Sequence, residues 1–377
     1  MGKQICNRCI LDSDIPNIKF DFEGFCNYCN EFVSLLTVDN LHSDAVHRQH
    51  KLKELVLQIK SEGARKPYDC IIGVSGGLDS SWTLYSAIQL GLRPLAVHMD
   101  NGWNSELAVN NISNLIDELD VDLYTYVVEW NEYRDLMQAF FDADVIDIEL
   151  LYDNAITSVC YAQAKKYKVK YILSGSNTAT EGLRMPSGWS WRDKWDERNI
   201  NAIADFGSVK VLSLPTFSNF DWLKYTYLHK IWWVPFLDYL PDYKKALSLE
   251  VLEAEYGYKP YPYKHYENIF TRLYQGYILE KKFNVDKRKV HLSSLIITQQ
   301  ITRAEASGIL ENIAYPSESD LERDIEYFLT KMDWNQKDLH EYLLRPERFH
   351  DEWGTDRTRR WVWPILSMVR KFLQKKL

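Results

Sequence analysis

Residues 75–81, Ser-Gly-Gly-Leu-Asp-Ser-Ser, have the residue types of a loop that binds phosphate groups. They follow an apolar, β-type run over 68–74 and precede a helix-like stretch that ends at Gly91. Two adjacent glycines let the backbone close around phosphate oxygens, and the N–H groups at a helix start point at them. The serine hydroxyls add donors, and Asp79 is suited to hold the Mg²⁺ that accompanies nucleotide phosphates. The predicted nucleotide-binding residues of this loop are Ser75, Gly76, Gly77, Asp79, Ser80 and Ser81, of which Ser75 and Asp79 are also catalytic candidates.

Four cysteines near the N-terminus have the spacing of a metal site. Cys6 and Cys9 form one C-x2-C pair, and Cys26 and Cys29 form a second pair after sixteen residues. This spacing predicts a closed, structural zinc site with four thiolate ligands. A disulfide pairing is disfavoured because the chain reads as cytosolic, and an iron–sulfur cluster is the minor alternative.

Polar residues also follow two of the later apolar runs. His98 and Asp100 end the run after the loop, and Gly175, Asn177 and Glu181 follow a run further along the chain. In an open α/β sheet, ligands bind outside the carboxyl ends of the strands. We therefore expect His98, Asp100, Gly175 and Asn177 beside the nucleotide.

The elements that must position these residues are those of an α/β protein. Five short β-type runs alternate with helical stretches, which is typical of a parallel sheet covered by helices on both faces. The runs are 68–74, 93–99, 122–128, 170–175 and 209–214. After about residue 216 the pattern becomes mainly helical. The predicted helices there are 219–232, 243–256, 266–280, 303–311, 318–332, 335–344 and 363–376.

The length of 377 residues predicts more than one packed unit. We expect a four-cysteine module with a linking helix over 1–62, a nucleotide domain over 63–215 and a mainly helical region over 216–377. No apolar run is long enough to span a membrane, and the N-terminus has no apolar signal stretch, so the sequence predicts a cytoplasmic protein.

The net charge of −8 conceals two basic segments. Residues 259–303 carry +6 and residues 357–377 carry +7, which leaves −21 on the rest of the chain. An acidic body of this kind disfavours an extended nucleic-acid surface. The terminal segment has a helical apolar stripe, and a helix packed on its own domain is the simplest interpretation.

The loop resembles the PP-loop of the ATP pyrophosphatases, the adenylating superfamily that includes GMP synthetase, NAD synthetase, asparagine synthetase and the tRNA thiolases. The resemblance is carried by Ser-Gly-Gly-x-Asp-Ser between a strand and a helix, without the lysine of a P-loop. It implies an adenine nucleotide alpha hydrolase-like fold, cleavage of ATP between the α and β phosphates, and transfer of AMP to a carbonyl oxygen.

The wider set of motifs resembles the N-acetyl sugar amidotransferases of bacterial surface-polysaccharide biosynthesis. It runs from Cys6 to about Ala306 and joins the four cysteines and the loop to later motifs. Those motifs are Lys264-His265-Tyr266-Glu267, Phe270-Thr271-Arg272, Lys281-Lys282-Phe283, Asp286-Lys287-Arg288 and His291-Leu292-Ser293-Ser294-Leu295-Ile296.

The family resemblance implies conversion of an acetamido group on a nucleotide-linked sugar to an acetamidino group. ATP would activate the amide, and ammonia would come from a separate glutaminase like that of histidine biosynthesis, with a cyclase-like companion subunit. Of the matched residues, Lys264, His265 and Glu267 are then catalytic candidates. The residues expected to bind the sugar nucleotide are Glu181, Lys264, Arg272, Lys282 and Arg288.

Two other functions use the same loop. A tRNA thiolase is disfavoured because Cys70 and Cys160 have no C-x2-C partner and an acidic body suits tRNA poorly. A non-catalytic nucleotide sensor is disfavoured because Asp79, Asp100 and both loop glycines are present.

Overall fold

Five short strands form one parallel sheet, as expected for the α/β class. The computed structural model describes residues 2–38, 45–241, 243–356 and 358. The strand order is β3-β2-β1-β4-β5, and every neighbouring pair is parallel. The strands are β1 Cys70–Gly73, β2 Pro94–Asp100, β3 Leu123–Val127, β4 Tyr171–Ser174 and β5 Trp232–Pro235.

Helices connect the strands and make up most of the C-terminal half. The first eight are α1 Asn27–Val38, α2 Ala45–Gly63, α3 Leu78–Gln89, α4 Glu106–Leu119, α5 Trp130–Asp142, α6 Leu150–Lys166, α7 Thr178–Glu181 and α8 Glu197–Phe206. The others within the described residues are α9 Asn219–Leu223, α10 Lys245–Tyr256, α11 Ile269–Leu273, α12 Leu279–Phe283, α13 Arg288–Ile297, α14 Arg303–Leu310, α15 Glu318–Met332 and α16 Gln336–Leu344.

Helices cover both faces of the sheet, so its central strands are apolar on both sides. In β1, Cys70 and Ile72 join a core that contains Leu84 of α3. The residue between them, Ile71, joins the opposite core with Cys160 of α6. This two-residue alternation fixes the register of β1 and holds the start of the loop after it in place.

The prediction of a strand over 209–214 is wrong. This segment is irregular because the Glu132 carboxylate accepts hydrogen bonds from the backbone N–H groups of Leu212, Ser213 and Leu214, at 2.9–3.0 Å. Those groups would otherwise pair in a sheet. The fifth strand is instead β5, which begins at the last residue of the stretch predicted as the helix 219–232, so the sheet extends past residue 215.

The C-terminal helices agree with the sequence pattern in most places. α10, α14, α15 and α16 confirm four of the predicted helices. The helix expected over 266–280 is interrupted, because α11 continues into a wider turn over Tyr274–Ile278 before α12 begins. The predicted helix 363–376 lies outside the described residues.

One large apolar core joins the N-terminal module to the C-terminal helices. Leu11 and Phe32 of the module belong to the same cluster as Phe141 of α5, Phe270 of α11 and Phe328 of α15. The N-terminal module is therefore packed against the rest of the protein. Within the described part of the chain, no helix is both long and apolar enough to cross a membrane.

The Glu132 contact gives a pH-dependent contribution to stability. Burial acts to raise the pKa of Glu132, but hydrogen bonds from the 212–214 backbone outweigh burial and lower the pKa below its usual range. A carboxyl whose pKa is lowered in the folded state stabilises it above the unfolded pKa of about 4.3, and the stabilisation is lost as pH falls through the folded pKa.

We expect Glu132→Gln to lower the free energy of unfolding by about 2 kcal/mol at neutral pH, because an amide nitrogen cannot accept these hydrogen bonds. Urea unfolding of both proteins at neutral pH and at about pH 3 would measure the difference, which should shrink at the lower pH. Glu118→Gln, on the exposed side of α4, is the control. A difference that is the same at both pH values would contradict the assignment.

Candidate active site

The loop after β1 closes through its own hydroxyl groups. The Ser80 hydroxyl accepts from the Ser75 N–H at 3.2 Å, and the Ser75 hydroxyl accepts from the Gly77 N–H at 3.2 Å. Gly76 has a φ of +81°, and a Cβ there would lie 2.8 Å from the carbonyl oxygen of Ala108. The loop therefore requires glycine at 76 both for its backbone conformation and for its close approach to α4.

Three predicted site residues from distant parts of the chain meet beside this loop. The ammonium of Lys264 lies 3.5 Å from Asp79 Oδ2 and 2.6 Å from Glu181 Oε1. It also lies 3.3 Å from the hydroxyl of Thr180, and the Tyr243 hydroxyl donates to the other oxygen of Asp79. The structure thus brings together Asp79, Glu181 and Lys264, each of which was predicted separately as a site residue, and adds Thr180 and Tyr243.

The charges of this cluster depend on one another. Burial acts to lower the pKa of Lys264, but Glu181 and Asp79 outweigh burial and raise the pKa. Burial, followed by the Asp79 charge, raises the pKa of Tyr243 well above its usual range. At neutral pH, Lys264 is consequently an ammonium and Tyr243 a neutral hydrogen-bond donor.

His265 and Glu267 also lie beside the loop. Glu267 is close to Gly77, where a Cβ would lie 3.1 Å from its Oε1. The ring Nδ1 of His265 lies 3.8 Å from the same carboxylate oxygen. Both residues line the cavity at the loop, as their predicted catalytic role requires.

Gly175 and Asn177, the predicted site residues after β4, differ in what they contact. Gly175, after β4, lines the cavity at the loop and packs so closely on α3 that a Cβ would lie 2.8 Å from the backbone carbon of Asp79. Asn177 turns inward, because its side chain accepts from the Thr180 N–H at 2.8 Å and donates to the Gly175 carbonyl at 3.1 Å. Asn177 therefore shapes the turn, and its side chain is engaged within the protein.

His98 and Asp100, at the end of β2, are also engaged within the protein. His98 contacts the Val74 carbonyl through Nδ1 at 2.8 Å and the Asn104 amide through Nε2 at 2.9 Å. Asp100 accepts from the Gly102 N–H at 2.8 Å. Burial lowers the pKa of His98, so its ring is neutral and supports the strand before the loop. Neither residue is among the described residues that line the two cavities below.

Two cavities meet at the Lys264 cluster. The smaller, of about 300 Å³, contains the loop, and the larger, of about 1120 Å³, lies beyond it. The wall that they share includes Thr180, Glu181, Lys245, Lys264, His265 and His291. The aromatic residues of the larger cavity are Trp191, Trp195, Trp233, Tyr263 and Tyr266.

Two of the predicted cations line the larger cavity but already have partners. Arg272 forms a two-pronged ion pair with Asp324. Arg288 pairs with Asp286 and donates to the carbonyl of Asn312 at 2.8 Å. Both guanidinium groups border the cavity, but neither is an unpaired cation.

Lys282 does not reach either cavity, so its predicted contact with substrate does not fit the structure. Its side chain is buried although the residue as a whole is partly exposed. The ammonium lies 2.8 Å from Asp144 and donates to the carbonyl oxygens of Tyr342 and Arg345 at 2.8 and 2.9 Å. Burial lowers the pKa of Lys282 despite its ion pair with Asp144. This lysine joins α12 to the end of α16.

Four further residues of the site were not predicted from the sequence: Tyr243, Lys245, Thr180 and, for its role here, His291. Lys245 and Tyr243 lie outside the +6 segment, and no spacing links them to the loop. Thr180 precedes Glu181, which the sequence did single out, and His291 belongs to a motif that was noted only for its resemblance. No local signal could have shown that all four converge, because 111 residues separate Thr180 from His291 along the chain.

The four N-terminal cysteines form one buried cluster. Their sulfur atoms all lie within 4.8 Å of one another, and all four residues are fully buried. Backbone N–H groups of Cys26 and Arg8 donate to Cys6 Sγ at 3.2 and 3.4 Å, as they would to a thiolate. The cluster fits a metal ion held by four thiolates, and the nearest sulfurs, at 3.6 Å, are not disulfide-bonded.

The other two cysteines lie apart from this cluster. Cys70 is buried in β1 and Cys160 in α6, and burial raises the pKa of both thiols. They are inert core residues, as the sequence predicted.

The cysteine cluster is joined to the site through α13 and α14. Arg303 donates to the carbonyl oxygens of Cys6 and Cys9 at 3.0 and 3.1 Å. Ser293 accepts from the Ile10 N–H at 3.4 Å, and the next residue, Ser294, accepts from the Leu183 N–H at 3.1 Å. α13 is thus fixed by the N-terminal module on one side and by the turn that carries Glu181 on the other.

The C-terminal region matches the model of one known protein family. Residues 267–370 match the family model described as LPS biosynthesis protein WbpG-like, C-terminal domain. A search of curated proteins found no match.

Solved structures show only weak similarity. The chain resembles an NMN synthetase from Francisella tularensis at 14% identity, over 59% of this chain and 99% of that one, with a TM-score of 0.30. It resembles the U34-tRNA thiolase NcsA from Methanococcus maripaludis, with its [4Fe-4S] cluster, at 14% identity. The match covers 83% of this chain and 90% of the thiolase, with a TM-score of 0.33. An NH3-dependent NAD synthetase from Campylobacter jejuni matches at 14% identity. The match covers 44% of this chain and 74% of the synthetase, with a TM-score of 0.29. The fold assignment rests on the sheet and loop of the chain itself.

We expect Cys26→Ser to lose most of the bound metal and to lower the unfolding midpoint by about 5 °C or more, because a structural metal contributes directly to folding. Elemental analysis of purified protein and thermal unfolding would measure both effects. Cys160→Ala, which removes a thiol far from the cluster, should keep its metal. Full metal content in Cys26→Ser would contradict a four-thiolate site.

We expect Lys282→Met to lower the free energy of unfolding by about 3 kcal/mol, because it removes one partner of a buried ion pair. Chemical denaturation would measure this loss, and Lys281→Met, exposed on the same helix, is the control. A variant as stable as the wild type would show that the buried contacts of Lys282 contribute little.

Proposed function

We propose that this chain, whose residues 267–370 match the WbpG-like C-terminal domain of LPS biosynthesis proteins, is an ATP-dependent amidotransferase. It would convert the acetamido group of a nucleotide-linked N-acetyl sugar to an acetamidino group, with release of AMP and pyrophosphate. The observation that carries the proposal is the pair of cavities that meet at Lys264. One has the features of a nucleotide site, and the other is large enough for a second, bulkier substrate.

The smaller cavity suits the phosphates and ribose of ATP. Its wall contains Ser75, Gly77 and Ser80 at the loop, with Lys264 opposite. Lys264 is the cation nearest to Asp79, so it is placed to stabilise negative charge that develops as pyrophosphate departs. Mg²⁺, for which Asp79 is the candidate ligand, would accompany ATP and neutralise its phosphates.

The larger cavity suits a sugar nucleotide. Its aromatic rings offer faces on which a base or a sugar can stack. Lys245 lies in the wall between the cavities, and among the described residues no carboxylate forms an ion pair with it. An unpaired ammonium in this position is suited to bind a diphosphate. Arg272 and Arg288 line the same cavity, and each is already paired with a carboxylate.

The reaction explains why two substrates must meet at one wall. The acetamide carbonyl is a poor electrophile, and transfer of AMP to its oxygen gives an imidate with a good leaving group. Ammonia then displaces AMP. The adenylated intermediate must be shielded from water, which would return it to the amide.

We further propose that the ammonia comes from a glutaminase subunit resembling that of histidine biosynthesis, with a cyclase-like companion. We also propose zinc as the metal of the four cysteines, in a structural role. The ligands would be Cys6, Cys9, Cys26 and Cys29, and the metal would take no part in the chemistry.

The proposal predicts turnover without a glutaminase when ammonium is supplied. Protein incubated with ATP, Mg²⁺, ammonium chloride and a panel of UDP-N-acetyl sugars should form AMP, pyrophosphate and a sugar product lighter by the difference between O and NH. Mass spectrometry and nucleotide chromatography would measure these products. Asp79→Asn should lower the rate of AMP formation about 100-fold or more, while it remains folded. Asp205→Asn, exposed on α8, is the control.

Other outcomes would favour the alternatives. AMP formation only with tRNA and a sulfur donor would replace this proposal with a tRNA thiolase. Tight ATP binding without turnover under any of these conditions would favour a nucleotide sensor. An unchanged rate in Asp79→Asn would remove Asp79 from the mechanism.

A further inference from the structure

His291 is a histidine in the shared wall of the two cavities that the reaction described so far does not use. It lies in the first turn of α13 and is among the residues that line both cavities. Its ring nitrogen Nδ1 lies 2.9 Å from the backbone carbonyl oxygen of Thr180. Thr180 in turn contacts Lys264 and Asp79 through its hydroxyl. The ring is therefore held beside the cluster at which the two substrates would meet.

The contact with Thr180 fixes the tautomer of the ring. A carbonyl oxygen only accepts hydrogen bonds, so Nδ1 must carry the hydrogen. In a neutral imidazole the other nitrogen, Nε2, then has a free lone pair and acts as an acceptor or a base. His291 is thus held in the form that a proton acceptor at Nε2 requires.

The surroundings of His291 keep its ring neutral. Burial, followed by the charges of Lys264, Lys245 and His265, lowers the pKa of His291 well below its usual range. The nearby carboxylates of Asp79 and Glu181 are already paired with Lys264. Lys245 approaches from α10 and Lys264 from the segment before α11, so ammonium groups face the ring from two different elements. The lone pair on Nε2 is consequently available at neutral pH.

We propose that Nε2 of His291 accepts the proton that ammonia must lose when it attacks the adenylated amide carbon. This inference rests on the proposed amidotransferase function and deepens it. It assigns a catalytic residue to the second half-reaction, whereas the loop and Lys264 serve the first.

The proton and electron pairs balance in this step. The nitrogen lone pair of NH3 forms the new C–N bond to the carbon of the imidate, whose sugar nitrogen still carries the amide hydrogen. The C=N π pair moves onto that sugar nitrogen, and the tetrahedral adduct has a positively charged –NH3 group. That group passes one proton to Nε2 of His291. The C–O bond to AMP then breaks, and its electron pair leaves on the AMP oxygen. The products are a protonated amidine and AMP, and the imidazolium later returns its proton to solvent.

A base at this position speeds the second half-reaction by keeping the adduct from losing ammonia again. An added nitrogen that remains an –NH3⁺ group can leave again as ammonia, whereas removal of its proton closes that route and commits the adduct to loss of AMP. General-base catalysis of this kind contributes about 100- to 10,000-fold in rate. A weakly basic Nε2 can accept this proton because the –NH3⁺ group of the adduct is itself acidic.

The test separates the two half-reactions in His291→Asn. The asparagine amide can still donate to the Thr180 carbonyl from the position of Nδ1, but it has no group in place of Nε2. With ATP, Mg²⁺ and the UDP-N-acetyl sugar that the wild type turns over, exchange of labelled pyrophosphate into ATP should stay within about threefold of the wild type. Formation of the amidine with ammonium chloride should fall about 100-fold or more. His340→Asn, on the exposed surface of α16, is the control for both measurements.

The outcomes distinguish this inference from the function on which it rests. If the wild type forms no amidine with any sugar of the panel, the proposed function fails and the inference fails with it. If the wild type is active and His291→Asn forms amidine at the wild-type rate, only the inference is overturned. An equal loss of exchange and amidine formation would also overturn it, because the role of His291 would then be to position the site.

A measurement on the wild-type protein tests the same point without turnover. Nitrogen-15 NMR of the histidine rings, with His291 assigned by comparison with His291→Gln, should show a protonated Nδ1 and an unprotonated Nε2 at neutral pH. A doubly protonated ring, or hydrogen on Nε2 alone, would overturn the inference even if the substituted proteins were unstable.

Discussion

The partly buried ammonium of Lys264 is the constraint on which the site depends. A buried charge is stable only when it is paired, and here Asp79 from the loop and Glu181 from the turn after β4 supply the partners. These three residues come from regions separated by at least 83 positions along the chain. Their pairing holds the loop, the β4 turn and the segment before α11 against one another. Loss of the Lys264 charge would leave both carboxylates without their cationic partner in a cavity wall.

The same constraint explains why a cysteine module at the N-terminus matters to a site that it does not touch. Glu181 is carried by a very short helix, α7, which has little stability of its own. α13 supports it through Ser294, and through Thr298, whose hydroxyl donates to the Ala179 carbonyl at 2.7 Å. α13 is in turn held by the module through Ser293. A metal in the module would therefore act on the site indirectly, in part through the rigidity of α13.

The sequence predicted what depends on local patterns. The glycine loop, the four cysteines and the first four strands were recognisable because their signals lie within a few residues of one another. The false strand at 209–214 had a valid β pattern, and only a carboxylate 80 positions away, that of Glu132, explains its bend. Lys282 had the right residue type for a phosphate ligand, but its burial against Asp144 was not visible in the sequence. The places of Tyr243 and His291 in the site follow from tertiary contacts, which no local sequence pattern shows.

The central claim is that the amide oxygen of an N-acetyl sugar becomes an oxygen of AMP. It can be tested with a UDP-N-acetyl sugar labelled with oxygen-18 in the acetamido carbonyl, together with ATP, Mg²⁺ and ammonium. Mass spectrometry of the nucleotide products would locate the label. We expect AMP to carry the oxygen-18 and pyrophosphate to carry none. Label in inorganic phosphate, or AMP without label, would contradict activation by adenylation at this site.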